Sequence, residues 1–89
     1  GGVASADLDI RKIVENAILC QASAVVLSHN HPSGLALPST DDFAVTDKAR
    51  TALSAIGVDL LDHIIVADND WVSLVQSGLY RPDECRLRI

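Results

Sequence analysis

The residues best suited to chemistry are two histidines separated by one residue, His29 and His31, followed after ten further residues by Asp42. In an extended backbone, residues i and i+2 point to the same side, so the two imidazoles can face one point. Zinc binds neutral imidazole nitrogens and carboxylate oxygens, and a catalytic zinc keeps three protein ligands and leaves a fourth position for water. The spacing therefore predicts a zinc site formed by His29, His31 and Asp42.

Asp42 is a better candidate ligand than its neighbour Asp41 because of its place in the next predicted helix. Residues 39–42 read Ser-Thr-Asp-Asp, which fits a capping box with Ser39 at the N-cap and Asp42 at position N3. The first turn is the positive end of the helix dipole and favours an ionised carboxylate, the form that binds a metal. A plain helix cap is the simpler interpretation of the same residues, and the two interpretations are compatible.

The elements that precede this site follow from the spacing of apolar residues. A helix is predicted to begin after Asp9 and to end near Gln21, with one apolar face. Residues 23–28, whose middle part, Ala-Val-Val-Leu, is continuously apolar with two β-branched residues, predict a strand buried on both faces. Residues 29–38, rich in Gly, Pro, Asn and Ser, predict a loop. The apolar face of the helix consists of Ile10, Ile13, Val14, Ala17 and Ile18.

The elements after the site continue the same alternation. A second helix is predicted from Ser39, with Gly57 at its C-terminal cap position. Residues 58–67 and 71–74 predict two strands joined by a tight polar turn as a hairpin, followed by a short helical turn at 76–80 and a tail from about residue 81. Helices that alternate with strands indicate an α/β layer structure. The 89 residues make one small domain at most, and three strands with two helices resemble part of a domain.

Composition limits the classes of partner. The net charge is −5, whereas nucleic-acid binding usually requires a basic surface, so binding of nucleic acid by this segment is not expected. Cys20 and Cys85 form no C-x-x-C pair, and Cys20 is interpreted as a small buried helix residue. The apolar runs, among them residues 24–27, are too short to span a membrane, and no signal peptide is evident. We therefore expect no membrane contact and a cytoplasmic location.

The motif around the histidines resembles a known family. JAB/MPN domains of the JAMM type carry His-x-His-Pro, a short loop and then Ser-x-x-Asp. The same order occurs here. The longer motif, His-Asn-His-Pro-Ser-Gly at residues 29–34 followed by Pro-Ser at 38–39, resembles that of the bacterial RadC branch. The resemblance extends from Ile10 to about Leu79 and includes the segment Leu61-Asp62-His63.

The resemblance implies a fold, a cofactor and roles for individual residues. It implies a three-layer α-β-α JAB/MPN-like domain that lacks its N-terminal strands in this chain. It further implies Zn²⁺ held by His29, His31 and Asp42, with Ser39 as a catalytic donor to the metal water or to a developing oxyanion. The implied activity is zinc-dependent hydrolysis of a peptide or isopeptide bond, with a peptide or protein as the substrate. A DNA-repair label accompanies the family name, and the acidic charge gives it no support.

One departure from the family pattern affects catalysis. The family's general base is a glutamate on a strand upstream of the histidines, and neither Glu15, on the polar face of the first helix, nor Glu84, in the tail, matches it. The resemblance places that strand before Gly1. A non-catalytic interaction module that keeps the fold, or a DNA-repair accessory domain, therefore remains an alternative. Sheet edges left open by missing strands also predict self-association as a homo-oligomer.

The remaining polar residues near the motif carry less information. His63, which follows Asp62 at the start of a strand, is interpreted as a hydrogen-bonded structural histidine, with a role behind the metal ligands or at the substrate as the alternative. Asn30 and Ser33 are interpreted as residues that hold the loop, with substrate contact as the alternative. The His and Asp ligands suit zinc, while Fe, Mn and Co stay open.

Overall fold

The first helix begins at the predicted cap. In the computed structural model, which describes residues 9–31 and 34–82, helix α1 spans Ile10–Leu19. The Asp9 carboxylate accepts hydrogen bonds from the backbone N–H groups of Arg11 and Lys12 at 3.0 and 3.4 Å, which satisfies two donors that the helix itself leaves unpaired. The chain then leaves the helix through Gln21, whose φ is 54°. The prediction for this helix and its cap is confirmed.

Cys20 differs from its predicted environment. It is exposed, so the interpretation as a buried residue is wrong. Cys20 is the C-cap of α1 rather than a residue of its apolar face, and Ala17 is the buried residue of that helix.

The remaining elements form a β-α-β unit followed by a hairpin. Strand β1 spans Ala24–Asn30, helix α2 spans Thr40–Ala55, strand β2 spans Asp59–Ala67 and strand β3 spans Asp70–Ser73. The sheet order is β1-β2-β3, with β1 parallel and β3 antiparallel to β2. Helix α2 ends before Gly57, whose φ of 78° is a conformation that glycine adopts without strain. The predicted α/β class and the predicted hairpin are confirmed.

Strand β1 is less buried than its sequence indicated. Leu27 lies in the core, whereas the side chain of the neighbouring Val26 is 54% exposed. The prediction of a strand buried on both faces is therefore wrong for the described part of the chain. The physical reason is that successive side chains point to opposite faces of a strand: Leu27 lies on the face that the helices cover, whereas no described helix covers the face that carries Val26.

In the described residues, the core lies between the helices and one face of the sheet. Helix α1 contacts α2, and α2 contacts β2. The strand register places Leu27 beside His63 and His29 beside Ile65, so these four side chains share the face that the helices cover. The core residues common to helices and sheet are Ala17, Leu27, Ala49, Leu53, Leu60 and Ile65. Of the three predicted layers, the described residues form the sheet and one helical layer.

The segment after β3 packs against the same core, to which it contributes Leu74 and Tyr80. Residues 74–78 form turns, where a short helical turn was predicted, and the Tyr80 hydroxyl donates a hydrogen bond to the Leu60 carbonyl at 2.6 Å. Predictions that concern Pro32, Ser33, Glu84, Cys85 and most of the tail fall outside the described residues. Neither helix in the described ranges combines the length and the apolar character needed to cross a membrane.

Candidate metal centre

The predicted ligands meet at the carboxyl end of β1, where α2 begins. Ligand sites of α/β proteins typically lie at the carboxyl ends of parallel strands. His29 is the sixth residue of β1, and His31 follows the strand directly. The backbone N–H of His31 donates to the Val66 carbonyl at 2.7 Å, which continues the pairing with β2 by one residue. The backbone around both histidines is therefore extended, as the i and i+2 argument required.

The third residue of the cluster comes from the capping box of α2. The Asp42 Oδ2 accepts hydrogen bonds from the Ser39 backbone N–H at 2.7 Å and from the Ser39 hydroxyl at 3.0 Å. In return, the Asp42 backbone N–H donates to Ser39 Oγ at 3.2 Å. Asp42 is 1% exposed, so the cap fixes a buried carboxylate in one orientation. The predicted capping box is confirmed.

The two imidazoles face this carboxylate from different sides. His29 Nε2 lies 3.1 Å from Asp42 Oδ1, and His31 Nε2 lies 3.1 Å from Asp42 Oδ2. Each of the three residues offers a donor atom, and these atoms all lie within 4.8 Å of one another. Ligand atoms around a tetrahedral zinc at about 2.0–2.1 Å are separated by about 3.3–3.4 Å. The spacing of the three residues is therefore compatible with one small cation.

The hydrogen bonds of the histidines show which nitrogen atoms face the carboxylate. A carbonyl oxygen can only accept, so His31 donates from Nδ1 to the Leu35 carbonyl at 3.2 Å, and its Nε2 faces Asp42 Oδ2. His29 Nε2, 3.1 Å from Asp42 Oδ1, is the buried side-chain atom of the described residues that has no hydrogen-bond partner. Two imidazole nitrogens and a carboxylate thus converge, and one bound cation could contact all three.

The ionisation of the cluster suits a cation as well. Burial lowers the pKa of His29 below its ordinary value of 6.5, although the Asp42 carboxylate opposes the shift. Burial alone would raise the pKa of Asp42, but hydrogen bonds from the Ser39 backbone and hydroxyl, together with the nearby His29 and His31, bring it below 3.8. Near neutral pH the cluster therefore offers a neutral His29 imidazole and an ionised Asp42 carboxylate, the forms that bind a metal.

His63 lies directly behind the cluster. Its side chain is 0% exposed, and burial followed by the neighbouring His29 lowers its pKa. His63 Nε2 is 3.0 Å from His29 Nδ1, and His63 Nδ1 is 2.6 Å from the Thr46 hydroxyl. The prediction of a hydrogen-bonded His63 is confirmed, and this residue lies behind the candidate ligand His29, as in the alternative interpretation. Its contact with His29 could not be read from the sequence, because 34 residues separate the two. Thr46 was missed altogether, since a threonine inside a helix carries no motif.

Ser39 lies beside the cluster but its observed contacts are those of a helix cap. Its hydroxyl donates to Asp42 Oδ2 at 3.0 Å and so helps to hold the carboxylate. The role of Ser39 as a catalytic donor stays a prediction.

Among the described residues, no further His, Cys, Asp or Glu belongs to this three-residue group. Glu15 pairs with Arg11 at 3.2 Å on the exposed surface of α1, in keeping with its predicted place on the polar face. The three-residue group of the described residues therefore contains one carboxylate, that of Asp42.

Comparison with known proteins agrees with the motif. The chain is 46% identical over 79 residues to a UPF0758 protein of Marinomonas sp. (strain MWYL1), an alignment that covers 89% of this chain and 35% of the relative. It is 42% identical over 87 residues to a UPF0758 protein of Stenotrophomonas maltophilia (strain K279a), covering 98% of this chain and 37% of the relative. The chain thus spans little more than a third of the length of these relatives. The family model described as "RadC-like JAB domain" matches residues 1–79, and the chain therefore belongs to the RadC family of JAB domains.

Proposed function

We propose that this chain binds one Zn²⁺ ion through His29 Nε2, His31 Nε2 and the Asp42 carboxylate, and that this centre serves the hydrolysis of a peptide-like amide bond. The observation that carries the proposal is the convergence of two imidazole nitrogens on a buried carboxylate, one of them, His29 Nε2, being buried without a hydrogen-bond partner. A buried polar atom without a partner is costly, and such atoms call for a functional explanation.

Zinc is the metal that this donor set fits best. Two imidazole nitrogens and one carboxylate oxygen are common ligands of catalytic zinc, which retains three protein ligands. Carboxylate and imidazole also suit Fe, Mn and Co, so the identity of the metal is a part of the proposal that needs its own measurement.

The chemistry divides between the ion and the protein. When bound, zinc supplies Lewis acidity toward water and toward a substrate carbonyl. The protein residues keep the ligands in place: Ser39 holds the Asp42 carboxylate through two hydrogen bonds, and the Leu35 carbonyl holds the His31 ring. In the family that this motif resembles, Ser39 also assists as a hydrogen-bond donor, and we retain that role as part of the proposal.

The proton acceptor for the reaction must come from elsewhere. No second carboxylate belongs to the cluster formed by the described residues, and the family pattern places the base, a glutamate, on a strand upstream of the histidines, a position that Glu15 in α1 does not match. We therefore expect the zinc-loaded chain to cleave peptides slowly by itself and faster when a small carboxylate such as formate is added, because a mobile base can replace one that the cluster lacks.

The test is hydrolysis of a mixed library of fluorogenic peptides by the zinc-loaded chain, with and without formate, beside His31→Ala as the matched control. The proposal predicts cleavage that requires zinc, increases with formate and is absent in His31→Ala. A chain that binds zinc but cleaves nothing under either condition would contradict the hydrolase function and favour a metal-stabilised interaction module.

A further inference from the structure

The buried pair formed by His63 and Thr46 has no role in the function proposed so far. Both residues are nearly inaccessible, at 0% and 3% exposure, and they come from different elements, His63 from β2 and Thr46 from α2. Polar side chains in a core are costly unless their hydrogen bonds are satisfied. Thr46 in α2 forms a hydrogen bond with His63 in β2, and His63 forms one with the candidate ligand His29.

The direction of each hydrogen bond follows from the single proton of the Thr46 hydroxyl. Thr46 Oγ1 lies 2.7 Å from the backbone carbonyl of Asp42, and a carbonyl can only accept, so the hydroxyl proton points there. Toward His63 Nδ1, at 2.6 Å, the hydroxyl oxygen must therefore accept. His63 Nδ1 is consequently the protonated nitrogen of its ring.

The hydrogen bond with His63 determines which ring nitrogen of His29 carries the proton. With its proton on Nδ1, a neutral His63 has a lone pair on Nε2, and this atom is 3.0 Å from His29 Nδ1. His29 must then donate from Nδ1, which leaves its own Nε2 without a proton. That Nε2 is the buried atom without a hydrogen-bond partner, 3.1 Å from Asp42 Oδ1. The chain of hydrogen bonds thus accounts for an otherwise unexplained buried lone pair.

We propose that Thr46 and His63 are positioning residues that fix the Nδ1–H tautomer and the ring orientation of His29, so that Nε2 is presented to the metal. This inference rests on the proposed metal centre for its purpose, but the tautomer that it assigns is a property of the metal-free chain. A ligand histidine commonly donates its second ring N–H to an outer partner, and loss of that partner typically weakens metal binding about 10–100-fold.

The neutral acceptor has a consequence for the charge of the site. Carboxylates and backbone carbonyls are the usual outer partners of a ligand histidine, and a carboxylate behind His29 would add a second negative charge next to Asp42. His63 supplies the acceptor without that charge. Its position in the core, beside Leu27 in the strand register, is one where an unpaired carboxylate would be strongly destabilising.

The first experiment measures the tautomers directly in the metal-free full chain. Long-range ¹H–¹⁵N NMR of the imidazole rings distinguishes a protonated nitrogen from one with a lone pair. We expect protonated Nδ1 and unprotonated Nε2 at both His29 and His63, and a mixture of tautomers at His29 in His63→Leu. A protonated Nε2 at His29 in the unaltered chain would overturn the inference, whether or not the protein binds zinc.

The second experiment measures zinc affinity by competition with a chromophoric chelator. His63→Leu, which removes the acceptor at similar volume, is expected to weaken binding about 10–100-fold. His63→Gln, whose amide oxygen can accept from His29 Nδ1–H, should recover most of this loss. Thr46→Val should weaken binding less than His63→Leu, because His63 keeps its ring and loses only the group that selects its tautomer.

A control separates positioning from general destabilisation. Leu60→Val alters a buried residue of the same strand whose side chain cannot form hydrogen bonds. It should lower the midpoint of urea unfolding, because the loss of a buried methylene reduces stability. Zinc affinity should stay within about twofold of that of the unaltered chain. Equal zinc affinity in His63→Leu, His63→Gln and Leu60→Val would contradict the positioning role. Zinc binding that is absent from the unaltered chain would instead contradict the proposed function, and the NMR result would then decide the tautomer assignment by itself.

Discussion

The two histidines of the candidate centre are held in different ways. His31 is held by its immediate surroundings: its Nδ1–H donates to the carbonyl of Leu35, four residues along the chain, at 3.2 Å. His29 is held by the core, through His63 in β2 and Thr46 in α2, which lie 34 and 17 residues away from their partners. One ligand therefore depends on a loop and the other on the packing of a helix against the sheet.

This difference indicates how a small domain can build a metal site. The loop side of the site, formed by His31 and Leu35, is close to the surface, since Leu35 is 60% exposed. Water can therefore replace the hydrogen bond between these two residues at little cost. The core side, formed by His29, His63 and Thr46, is buried, and an unpaired polar group there costs about 1–3 kcal/mol of stability. Loss of the loop-side ligand should affect the metal alone, whereas loss of the core-side ligand should affect both the metal and the fold. Asp42 contacts both sides, because its Oδ1 faces the His29 ring and its Oδ2 faces the His31 ring.

The largest effect is expected from the residue shared by both sides. Asp42→Asn replaces the carboxylate by a neutral amide and should lower zinc affinity by more than about 100-fold, because an ionised ligand and its charge are both lost. Zinc competition titration measures this. Asp41→Asn is the matched control, since it removes the same charge from the exposed preceding residue of the same helical turn. Similar losses in the two variants would show that the effect is general electrostatics and that Asp42 is not a ligand.

The next effect separates the two histidines by stability. In the metal-free chain, His29→Ala leaves the fully buried His63 Nε2 without a donor and should cost about 1–3 kcal/mol more than His31→Ala. Urea unfolding of both variants, each compared with the unaltered chain, gives the difference. Both variants should lose zinc binding. If His31→Ala destabilises the metal-free chain as much as His29→Ala, the distinction between a loop-held and a core-held ligand is wrong.

A smaller effect is expected at the helix cap. Ser39→Ala removes the hydroxyl that caps α2 and that donates to Asp42 Oδ2, and it should lower the free energy of unfolding by about 1 kcal/mol. Zinc affinity should fall by less than in His63→Leu, because the Ser39 backbone N–H still donates to Asp42 at 2.7 Å. Ser39→Thr, which keeps a capping hydroxyl, is the control. Unchanged stability in Ser39→Ala would contradict the role of the cap.

The smallest effect is a pH dependence of the metal-free chain. Burial lowers the pKa of both His29 and His63 below 6.5, so the unfolded chain binds more protons than the folded one just below that pH. Stability should therefore fall as the pH is lowered from about 7.5 to about 5.5. The lowered pKa of Asp42 acts in the same direction, but only near and below its ordinary value of 3.8. Urea midpoints across this range measure the slope, and His63→Gln should reduce it by removing one titrating group. A midpoint that rises on acidification would contradict the buried, neutral state of these histidines.

The parts of the fold and site that the sequence predicted are those encoded locally. The caps at Asp9 and Ser39 and the β2–β3 hairpin depend on residues close together in the chain. The capping box was predicted with Ser39 at the N-cap and Asp42 at N3, as the structure has it. The grouping of His29 with His31 was also accessible, because two residues apart in an extended backbone face the same side.

What the sequence could not predict depends on contacts between distant elements. The exposure of Val26 arises because no described helix covers that face of β1, which a run of apolar residues does not reveal. The hydrogen bond from His29 to His63 requires the register of β1 with β2, and the one from His63 to Thr46 requires α2 to lie over that strand. Periodicity reports that a residue is buried, but not which partner it meets.

The binding of one metal ion by His29, His31 and Asp42 can be measured by elemental analysis of the purified chain after exposure to zinc and removal of the excess, with His31→Ala treated in parallel. We predict about one zinc per chain in the unaltered protein, the number that a single three-ligand site binds, and none in His31→Ala. Absence of zinc from both samples, or equal amounts in both, would contradict the account.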